Sequence, residues 1–172
     1  KTFKYLDKYK SKILNLKSPY IEKAILDSCK IKKKIVQLDE KEKNLRKVLN
    51  LGHTFAHAYE ATLNYSKKLN HGEAVLLGLK SAAKFSLLNK NLSKKTYNQI
   101  IDHLNNLNLN YDLKKYFKPK QTTKMIKFMK SDKKNRTKNI NLILLKDIGK
   151  PIIDLIFNQK KIHSFLKKEL VN

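Results

Sequence analysis

Two histidines one helical turn apart are the first residues in the sequence that suggest chemistry. His53 and His57 lie in the stretch LNLGHTFAHAYEA, and a third histidine, His71, follows in LNHGEAV. Imidazole nitrogens bind divalent metals, exchange protons near neutral pH, or form hydrogen bonds within a core. A zinc protease with an H-x-x-x-H pair needs Glu directly after the first histidine, and Thr54 stands there instead. The spacing alone leaves a metal site, a catalytic pair and a packed pair open.

If one helix runs through this region, the histidines continue a line of polar side chains. At about 100° per residue, positions 42, 46, 50, 53 and 57 fall within roughly 40° of one line along a helix. That line consists of Glu42, Arg46, Asn50, His53 and His57. Burying polar groups beside the apolar residues between them costs free energy unless each finds a partner. The stripe therefore predicts that these groups bind one another, a metal or an anion.

Apolar residues at helical spacing run through most of the chain, so the sequence predicts a mainly α fold. Ser93 and Asn158 are predicted N-caps, the second of them for a terminal helix. The β-prone runs 139–145 and 151–157 predict a short hairpin. Cys29 is expected to be a small buried side chain. The helix predicted over 72–89 is the most apolar and is expected at the centre of the core. The predicted helices cover residues 3–17, 19–37, 44–63, 72–89, 94–107 and 123–131.

The composition restricts the classes of function. The 172 residues are 41% hydrophobic, which suits one folded domain or two small ones. No apolar run approaches the roughly 18 residues of a membrane span. The formal net charge of +25 comes almost entirely from lysines spread along the chain, since Arg46 and Arg136 are the only arginines. Nucleic-acid recognition usually relies on arginine forks and a clustered basic face. We therefore predict solvated lysines, as in proteins of AT-rich genomes, and neither a nucleic-acid nor a membrane partner.

Three features indicate part of a longer cytoplasmic protein. The chain begins KTFKY, with neither an initiator Met nor the apolar segment of a secretory signal. Its single cysteine allows no internal disulfide and fits a reducing compartment. Glycine occurs only four times and forms no phosphate-binding loop, so a complete dinucleotide-binding domain is not expected within these residues.

Three motifs together resemble a known family. The stretches DEKEKNLRKVLNLGHTFAHAYEA, LNHGEAVLLGL and SDKKNRTKNINLILL followed by IGK occur in the order found in the C-terminal domain of 3-dehydroquinate synthases. The resemblance covers most of the chain, and the joint pattern of these motifs is highly specific. It implies that residues 1–172 form one helical catalytic domain with a hairpin near 139–157. It also implies an NAD-binding domain upstream of this chain.

The resemblance also implies a role for each site residue. His53 and His71 would be two of three protein ligands of Zn²⁺ (or Co²⁺). The third, the glutamate of an A-E-x-x-K motif, would lie just before Lys1, which matches the lysine of that motif. Glu42 and His57 would be the acid–base residues. The residues expected to bind substrate are Lys1, Lys32, Arg46, Asn50 and one of Lys133 and Lys134.

The implied activity is that of a phosphate-eliminating lyase in the shikimate pathway, which leads to chorismate and the aromatic amino acids. In the family reaction, NAD⁺ transiently oxidises the C5 hydroxyl of 3-deoxy-D-arabino-heptulosonate 7-phosphate. Phosphate is then eliminated, and reduction, ring opening and aldol closure give 3-dehydroquinate. Lysines and an arginine fork suit the carboxylate and phosphate of this substrate. The family also implies a cytoplasmic homodimer.

Two positions depart from the family pattern. Ala56 and Asn44 replace common glycines. Ala56 is expected to alter close packing slightly, and Asn44 to keep a left-handed backbone, which Asn tolerates well. Glu60 and Glu73, which belong to the same motifs, are expected to cap helices or to orient ligands.

Other functions stay open at this point. Within enzymes, the alternatives are a related sugar-phosphate cyclase and a metal-dependent polyol dehydrogenase. Outside enzymes, the alternative is a basic helical module that binds nucleic acid. The set of Glu42, Arg46 and Asn50 with SDKK favours dehydroquinate synthase over the two alternative enzymes.

Overall fold

The computed structural model describes residues 1–107, 112–131 and 139–171. The mainly α fold with one hairpin near 139–157 is confirmed within them. None of the described helices is both long and apolar enough to cross a lipid bilayer. Two short 3-10 turns cover Leu45–Asn50 and Pro119–Gln121. The helices and strands are α1 (Thr2–Leu14), α2 (Tyr20–Leu38), α3 (His53–Thr62), α4 (His71–Leu88), α5 (Lys94–Asn105), α6 (Leu113–Tyr116), α7 (Thr122–Ser131), β1 (Asn139–Asp147), β2 (Lys150–Asn158) and α8 (Gln159–Val171).

The core forms where α3 and α4 pack against α7, α8 and the hairpin. Three phenylalanine rings meet there, with centroids 5.0 Å apart for Phe85 and Phe165, 6.1 Å for Phe55 and Phe165, and 6.4 Å for Phe55 and Phe85. Aromatic rings at these separations contribute attraction beyond the area that they bury. The predicted central helix is confirmed, since α4 buries residues along its length from Ala74 to Ser86.

Polar contacts fix α4 to its neighbours on two sides. The buried hydroxyls of Tyr59 on α3 and Ser81 on α4 are 2.7 Å apart, and burial raises the pKa of Tyr59. Farther along α4, Ser86 Oγ accepts a hydrogen bond from the Leu145 N–H of β1 at 2.9 Å. Because a buried hydroxyl without a partner is costly, these bonds restrict how α4 can shift against α3 and β1.

The hairpin contacts the segment that precedes α3. Its antiparallel register shifts between Leu142 and Leu144, and Asp154 on the facing strand has φ +57°. The Asp154 carboxylate binds Lys47 Nζ at 2.8 Å and Asn141 Nδ2 at 2.9 Å. The bulge therefore ties the hairpin to the 3-10 turn Leu45–Asn50.

The two predicted N-caps are confirmed. Ser93 Oγ accepts from Thr96 N at 3.1 Å at the start of α5. Asn158 Oδ1 accepts from Lys160 N at 2.8 Å where β2 passes into α8. Each side chain satisfies one of the N–H groups that a helix start leaves without an intrahelical partner.

Helices α1 and α2 pack mainly on each other. Tyr5 on α1 donates its hydroxyl to Tyr20 O at 3.3 Å, and the Tyr9 and Tyr20 rings lie 4.8 Å apart. In these two helices, every residue of which is described, Ala24 is the only buried side chain. The prediction that Cys29 is buried is wrong, since its side chain is exposed on α2. The apolar spacing in α2 was sufficient to predict a helix, but it did not predict how few of its side chains are buried.

The single helix predicted over 44–63 is wrong. Residues Leu45–Asn50 form a 3-10 turn, Gly52 has φ +80°, and α3 begins only at His53. A left-handed residue ends right-handed helical geometry, and glycine adopts it without a Cβ penalty. Apolar spacing suits both arrangements, so the only sequence signal for the break was Gly52 itself.

Gly52 lies directly against the backbone of α4 at Gly78. A Cβ on Gly52 would be 2.7 Å from Leu79 N, and a Cβ on Gly78 would overlap the Gly52 carbonyl oxygen. The same Cβ on Gly78 would lie 3.0 Å from the backbone nitrogen of Ala56, a residue that is fully buried. The main chains of the α3 start and of α4 therefore meet with no side chain between them.

Replacing Gly78 with alanine is expected to destabilise the fold. Alanine favours a helix interior by about 1 kcal/mol over glycine, but overpacking of a dense interior costs about 1–3 kcal/mol or more. The clash involves backbone, which cannot rotate away, so we expect a net loss of stability in urea or thermal unfolding. Gly72→Ala in the first turn of α4 is the matched control, because its nearest neighbour would be Asn70 Oδ1 at 3.6 Å. Equal stability of the two variants would contradict the close crossing.

Candidate active site

The structure brings the three histidines together at the adjoining starts of α3 and α4. His53 is the first residue of α3, His57 lies one turn later, and His71 is the first residue of α4. Their ring centroids are 5.5 Å apart for His53 and His57, 6.0 Å for His53 and His71, and 6.3 Å for His57 and His71. The contact of Gly52 with Gly78 and Leu79 places the start of α3 against α4.

Two of these imidazoles have one ring nitrogen next to an acceptor. His53 Nδ1 lies 3.3 Å from Leu51 O, and His71 Nδ1 lies 3.1 Å from Glu60 Oε1. A proton on each Nδ1 satisfies these contacts and leaves the Nε2 lone pair for a metal, as in metal sites where a second acceptor orients the ligand. Burial lowers the pKa of His53, and the neighbouring His57 and His71 lower it further. The neutral, metal-binding form of His53 is thereby favoured.

The distance between His53 and His71 suits a shared divalent ion. Two imidazoles on one tetrahedral zinc, with Zn–N of about 2.0–2.1 Å, place their ring centroids roughly 5 Å apart. The observed 6.0 Å is close to that value, so small side-chain rotations are sufficient. In residues 1–107, 112–131 and 139–171, no group of three His, Cys, Asp or Glu side chains is arranged to hold a metal. The donor set fits two ligands of a zinc or cobalt ion, and a third ligand just before Lys1 stays a prediction.

Glu60 and Glu73 have different surroundings. Glu73 forms a capping box with Asn70, in which Asn70 N donates to Glu73 Oε2 at 2.9 Å and Glu73 N donates to Asn70 Oδ1 at 3.0 Å. That bond pair fixes the first turn of α4, which carries His71. Glu60, whose side chain is only 13% exposed, contacts the His71 ring instead. The capping role of Glu73 is confirmed, and the contact of Glu60 is of the kind that orients a ligand.

Glu42 and Asn50 are in contact, and Arg46 lies in the same 3-10 turn as Asn50, but the three residues are not on one helix. Glu42 has φ +53° and precedes the 3-10 turn, so the predicted helical stripe from residue 42 to residue 57 is wrong. A different conformation joins two of these residues, since Asn50 Nδ2 donates to Glu42 Oε1 at 2.6 Å. The Arg46 side chain instead donates from Nη1 to Glu40 O at 2.6 Å. The carboxylate of Glu42 is thus bound to Asn50, which lies three residues before His53, by a side-chain contact rather than by helical periodicity.

The left-handed residue of this loop is Glu42 and not Asn44. Asn44 has φ −141° and ψ −83°, so the prediction of a left-handed backbone at this former glycine position is wrong. A residue with a Cβ pays about 1–2 kcal/mol for the left-handed region. Glu42, the predicted acid–base residue, is one of six non-glycine residues with positive φ in the described part of the chain.

The predicted substrate lysines are less well placed by the structure. Lys1 is exposed before α1, and Lys32 is exposed on α2. Among the described residues, no hydrogen bond or ion pair joins either lysine to the three histidines. Lys133 and Lys134 lie outside the described residues. The roles of all four in substrate binding stay predictions.

A cavity of about 520 Å³ opens beside the histidines. Its lining includes His57, Glu60 and His71 on one side and Phe128, Met129 and Ser131 on the other. This volume is within the usual range for a small-molecule site. Ser131 directly precedes the DKK of the third motif, so that motif follows in the sequence from the cavity wall.

Comparison with known proteins relates this chain to 3-dehydroquinate synthases. A family model described as 3-dehydroquinate synthase C-terminal matches residues 1–135. The 3-dehydroquinate synthase of Pelagibacter ubique (strain HTCC1062) is 60% identical over 170 residues, which are 99% of this chain and 46% of that protein. The enzyme of the same name from Leptospira interrogans is 40% identical over 168 residues, 96% of this chain and 45% of that protein. The chain thus spans under half the length of these curated relatives.

Two solved structures have the same fold. The 2-epi-5-epi-valiolone synthase ValA from Streptomyces hygroscopicus subsp. jinggangensis 5008, with NAD⁺ and Zn²⁺ bound, aligns with a TM-score of 0.79 and 18% identity, over 98% of this chain and 46% of that one. A 2-deoxy-scyllo-inosose synthase complexed with carbaglucose-6-phosphate, NAD⁺ and Co²⁺ aligns with a TM-score of 0.60 and 23% identity, over 74% of this chain and 35% of that one. At these identities the likeness establishes the fold.

Proposed function

Because the chain belongs to the 3-dehydroquinate synthase family through its C-terminal domain, we propose that it supplies the metal- and substrate-binding half of such an enzyme. The proposed reaction converts 3-deoxy-D-arabino-heptulosonate 7-phosphate to 3-dehydroquinate and phosphate, with NAD⁺ bound by a domain upstream. The observation that carries the proposal is the convergence of three imidazoles within 6.3 Å, next to the segment that holds Glu42 and Asn50.

The proposed cofactors are NAD⁺ and a divalent metal. His53 and His71 would hold Zn²⁺ or Co²⁺, because their Nδ1 contacts leave Nε2 for a ligand bond. When bound, the ion supplies Lewis acidity toward the substrate oxygens. The two solved structures of this fold were bound to NAD⁺ with either Zn²⁺ or Co²⁺, which supports the same pair here.

The basic side chains of the site suit a substrate that carries a carboxylate and a phosphate. Arg46 donates a hydrogen bond from Nη1 to Glu40 O, and this bond orients the guanidinium, which has further N–H donors. A guanidinium fork binds a carboxylate through two parallel hydrogen bonds. We assign Arg46 and Asn50 to the substrate, together with Lys1, Lys32 and one of Lys133 and Lys134.

The proposed proton transfers use Glu42 and His57. The Glu42 carboxylate is oriented at Oε1 by Asn50 Nδ2, and a carboxylate held in this way is suited to exchange a proton with the substrate. The His57 ring lines the cavity next to His71 and can take or return a proton at a ring nitrogen. These are separate groups, so one can act as a base while the other acts as an acid.

The sequence relatives favour this reaction over the alternative cyclases. The proteins that are 60% and 40% identical are 3-dehydroquinate synthases, whereas the cyclases found by fold are 18% and 23% identical. We also propose a cytoplasmic homodimer with no nucleic-acid or membrane partner.

The test uses the full-length protein, extended upstream of Lys1. We expect phosphate release from the heptulosonate phosphate to require both NAD⁺ and bound metal, and to stop after chelation and resume when Zn²⁺ or Co²⁺ is restored. Glucose 6-phosphate, which lacks the carboxylate, is the control substrate and is expected to release no phosphate. A folded, metal-loaded protein that releases none from the heptulosonate phosphate would overturn the proposed function.

A further inference from the structure

One carboxylate that the proposed mechanism does not use organises the loop before α3. Asp39 follows α2 and is the first residue of the DEKEKNLR motif. Its Oδ1 accepts from Lys43 N at 2.9 Å, and its Oδ2 accepts from Asn44 N at 2.8 Å and Arg46 N at 2.9 Å. These three N–H donors hold the pKa of Asp39 below its usual value, so the group is ionised at neutral pH.

The backbone of Asp39 takes part in the same loop. Its N–H donates to Ile35 O at 3.1 Å at the end of α2, and its carbonyl oxygen accepts from Glu42 N at 3.3 Å. Glu42 has φ +53°, and the two N–H groups that follow it, those of Lys43 and Asn44, are bound to the Asp39 carboxylate. Left-handed residues other than glycine persist only where their surroundings leave no alternative. The carboxylate of Asp39 supplies that restraint.

The restrained loop carries two of the proposed functional side chains. Glu42 lies within it, and Arg46, whose own N–H is bound by Asp39, ends it. We propose that Asp39 is a positioning residue that holds residues 42–46 in the conformation in which Glu42 and Arg46 act on the substrate. The inference rests on the proposed function for what those two side chains do, and on hydrogen bonds of this chain for how they are held.

The test compares Asp39→Asn with wild type in the full-length enzyme. The side-chain amide presents an NH₂ group to backbone donors and carries no charge, so it cannot replace both carboxylate oxygens. We expect kcat/KM for the heptulosonate phosphate to fall about 10- to 100-fold, because small misplacements of catalytic groups have effects of that order. Zinc content is expected to stay unchanged. Asp27→Asn is the matched control, since Asp27 lies on α2 and pairs with exposed Lys23, and it is expected to keep wild-type kcat/KM.

A double variant separates positioning from general stabilisation. If Asp39 acts through Glu42 and Arg46, Asp39→Asn costs clearly less in the Glu42→Gln background than in wild type, because only the part of its effect that passes through Arg46 is left to lose. If Asp39 only stabilises the end of α2, the unfolding midpoint falls while kcat/KM of the folded variant stays within twofold of wild type. That result, or losses that multiply in the double variant, would overturn the inference.

Hydrogen exchange gives a readout that does not depend on activity. The amides of Lys43, Asn44 and Arg46 are expected to exchange slowly in wild type and fast in Asp39→Asn, whereas amides in α4 are unchanged. Asp39→Ser, which keeps one acceptor oxygen, takes the place of Asp39→Asn if the latter does not fold. Protection that survives in the variant rejects the inference, even if the enzyme acts as proposed. An inactive wild type with protection lost in the variant rejects the proposed function alone.

Discussion

His53→Ala is expected to abolish both metal binding and phosphate release in the full-length enzyme. The variant loses one of the two imidazoles proposed to bind the ion, whose rings are 6.0 Å apart. Loss of a group that only orients a metal ligand costs about 10- to 100-fold in affinity. Loss of a ligand should therefore cost more than about 100-fold. Zinc content after dialysis and competition with a chromophoric chelator measure this loss.

Another histidine distinguishes ligand loss from a general effect of removing an imidazole. His103 on α5 binds Asp7 Oδ1 through Nδ1 at 3.0 Å, away from the three clustered histidines. His103→Ala is expected to keep wild-type zinc affinity, although it loses a contact between α5 and α1. His71→Ala should behave like His53→Ala. If His53→Ala retained stoichiometric zinc, the proposed metal site would be wrong.

Glu42→Gln is expected to lower kcat about 10²- to 10⁴-fold, the usual contribution of a general acid or base. Glutamine keeps the shape of the side chain and an oxygen that can still accept from Asn50 Nδ2, which binds Glu42 Oε1 at 2.6 Å. The loop should therefore stay in place while the group can no longer exchange a proton. We expect zinc content and NAD⁺ binding to remain at wild-type levels, and KM to change less than kcat.

Glu40→Gln is the matched control for this experiment. It removes the same charge two residues away, and Arg46 contacts the carbonyl oxygen of Glu40 rather than its exposed side chain. We expect near wild-type kcat for it. A Glu42→Gln enzyme with unchanged kcat and raised KM would show instead that Glu42 contributes only to binding.

The sequence was sufficient for the fold class and for the order of its parts. Apolar spacing predicted α4 within one residue at each end, and short β-prone runs predicted the hairpin. The residues of the cluster were identified by their motif, while spacing alone left several explanations for His53 and His57. The comparisons with known proteins then confirmed the family.

What could not be predicted depends on a tertiary contact and on side-chain hydrogen bonds to the backbone. The break before α3 requires α4 to approach Gly52, 26 positions before Gly78 in the chain. The left-handed backbone at Glu42 requires the Asp39 carboxylate, and nothing in the local propensity of glutamate indicates it. An aspartate just after a helix, followed by polar residues, is a recognisable signal for side-chain bonds to nearby N–H groups. It does not indicate which of the following residues becomes strained.

The glycine contact between the start of α3 and α4 has a consequence for how this domain can evolve. His53 follows Gly52 directly, and His71 lies two helical turns before Gly78 on the same helix. The distance between the two imidazoles therefore depends on a direct backbone contact between the start of α3 and α4, with no side chain between them. Substitutions that add lysines to exposed positions can therefore accumulate without moving either ring.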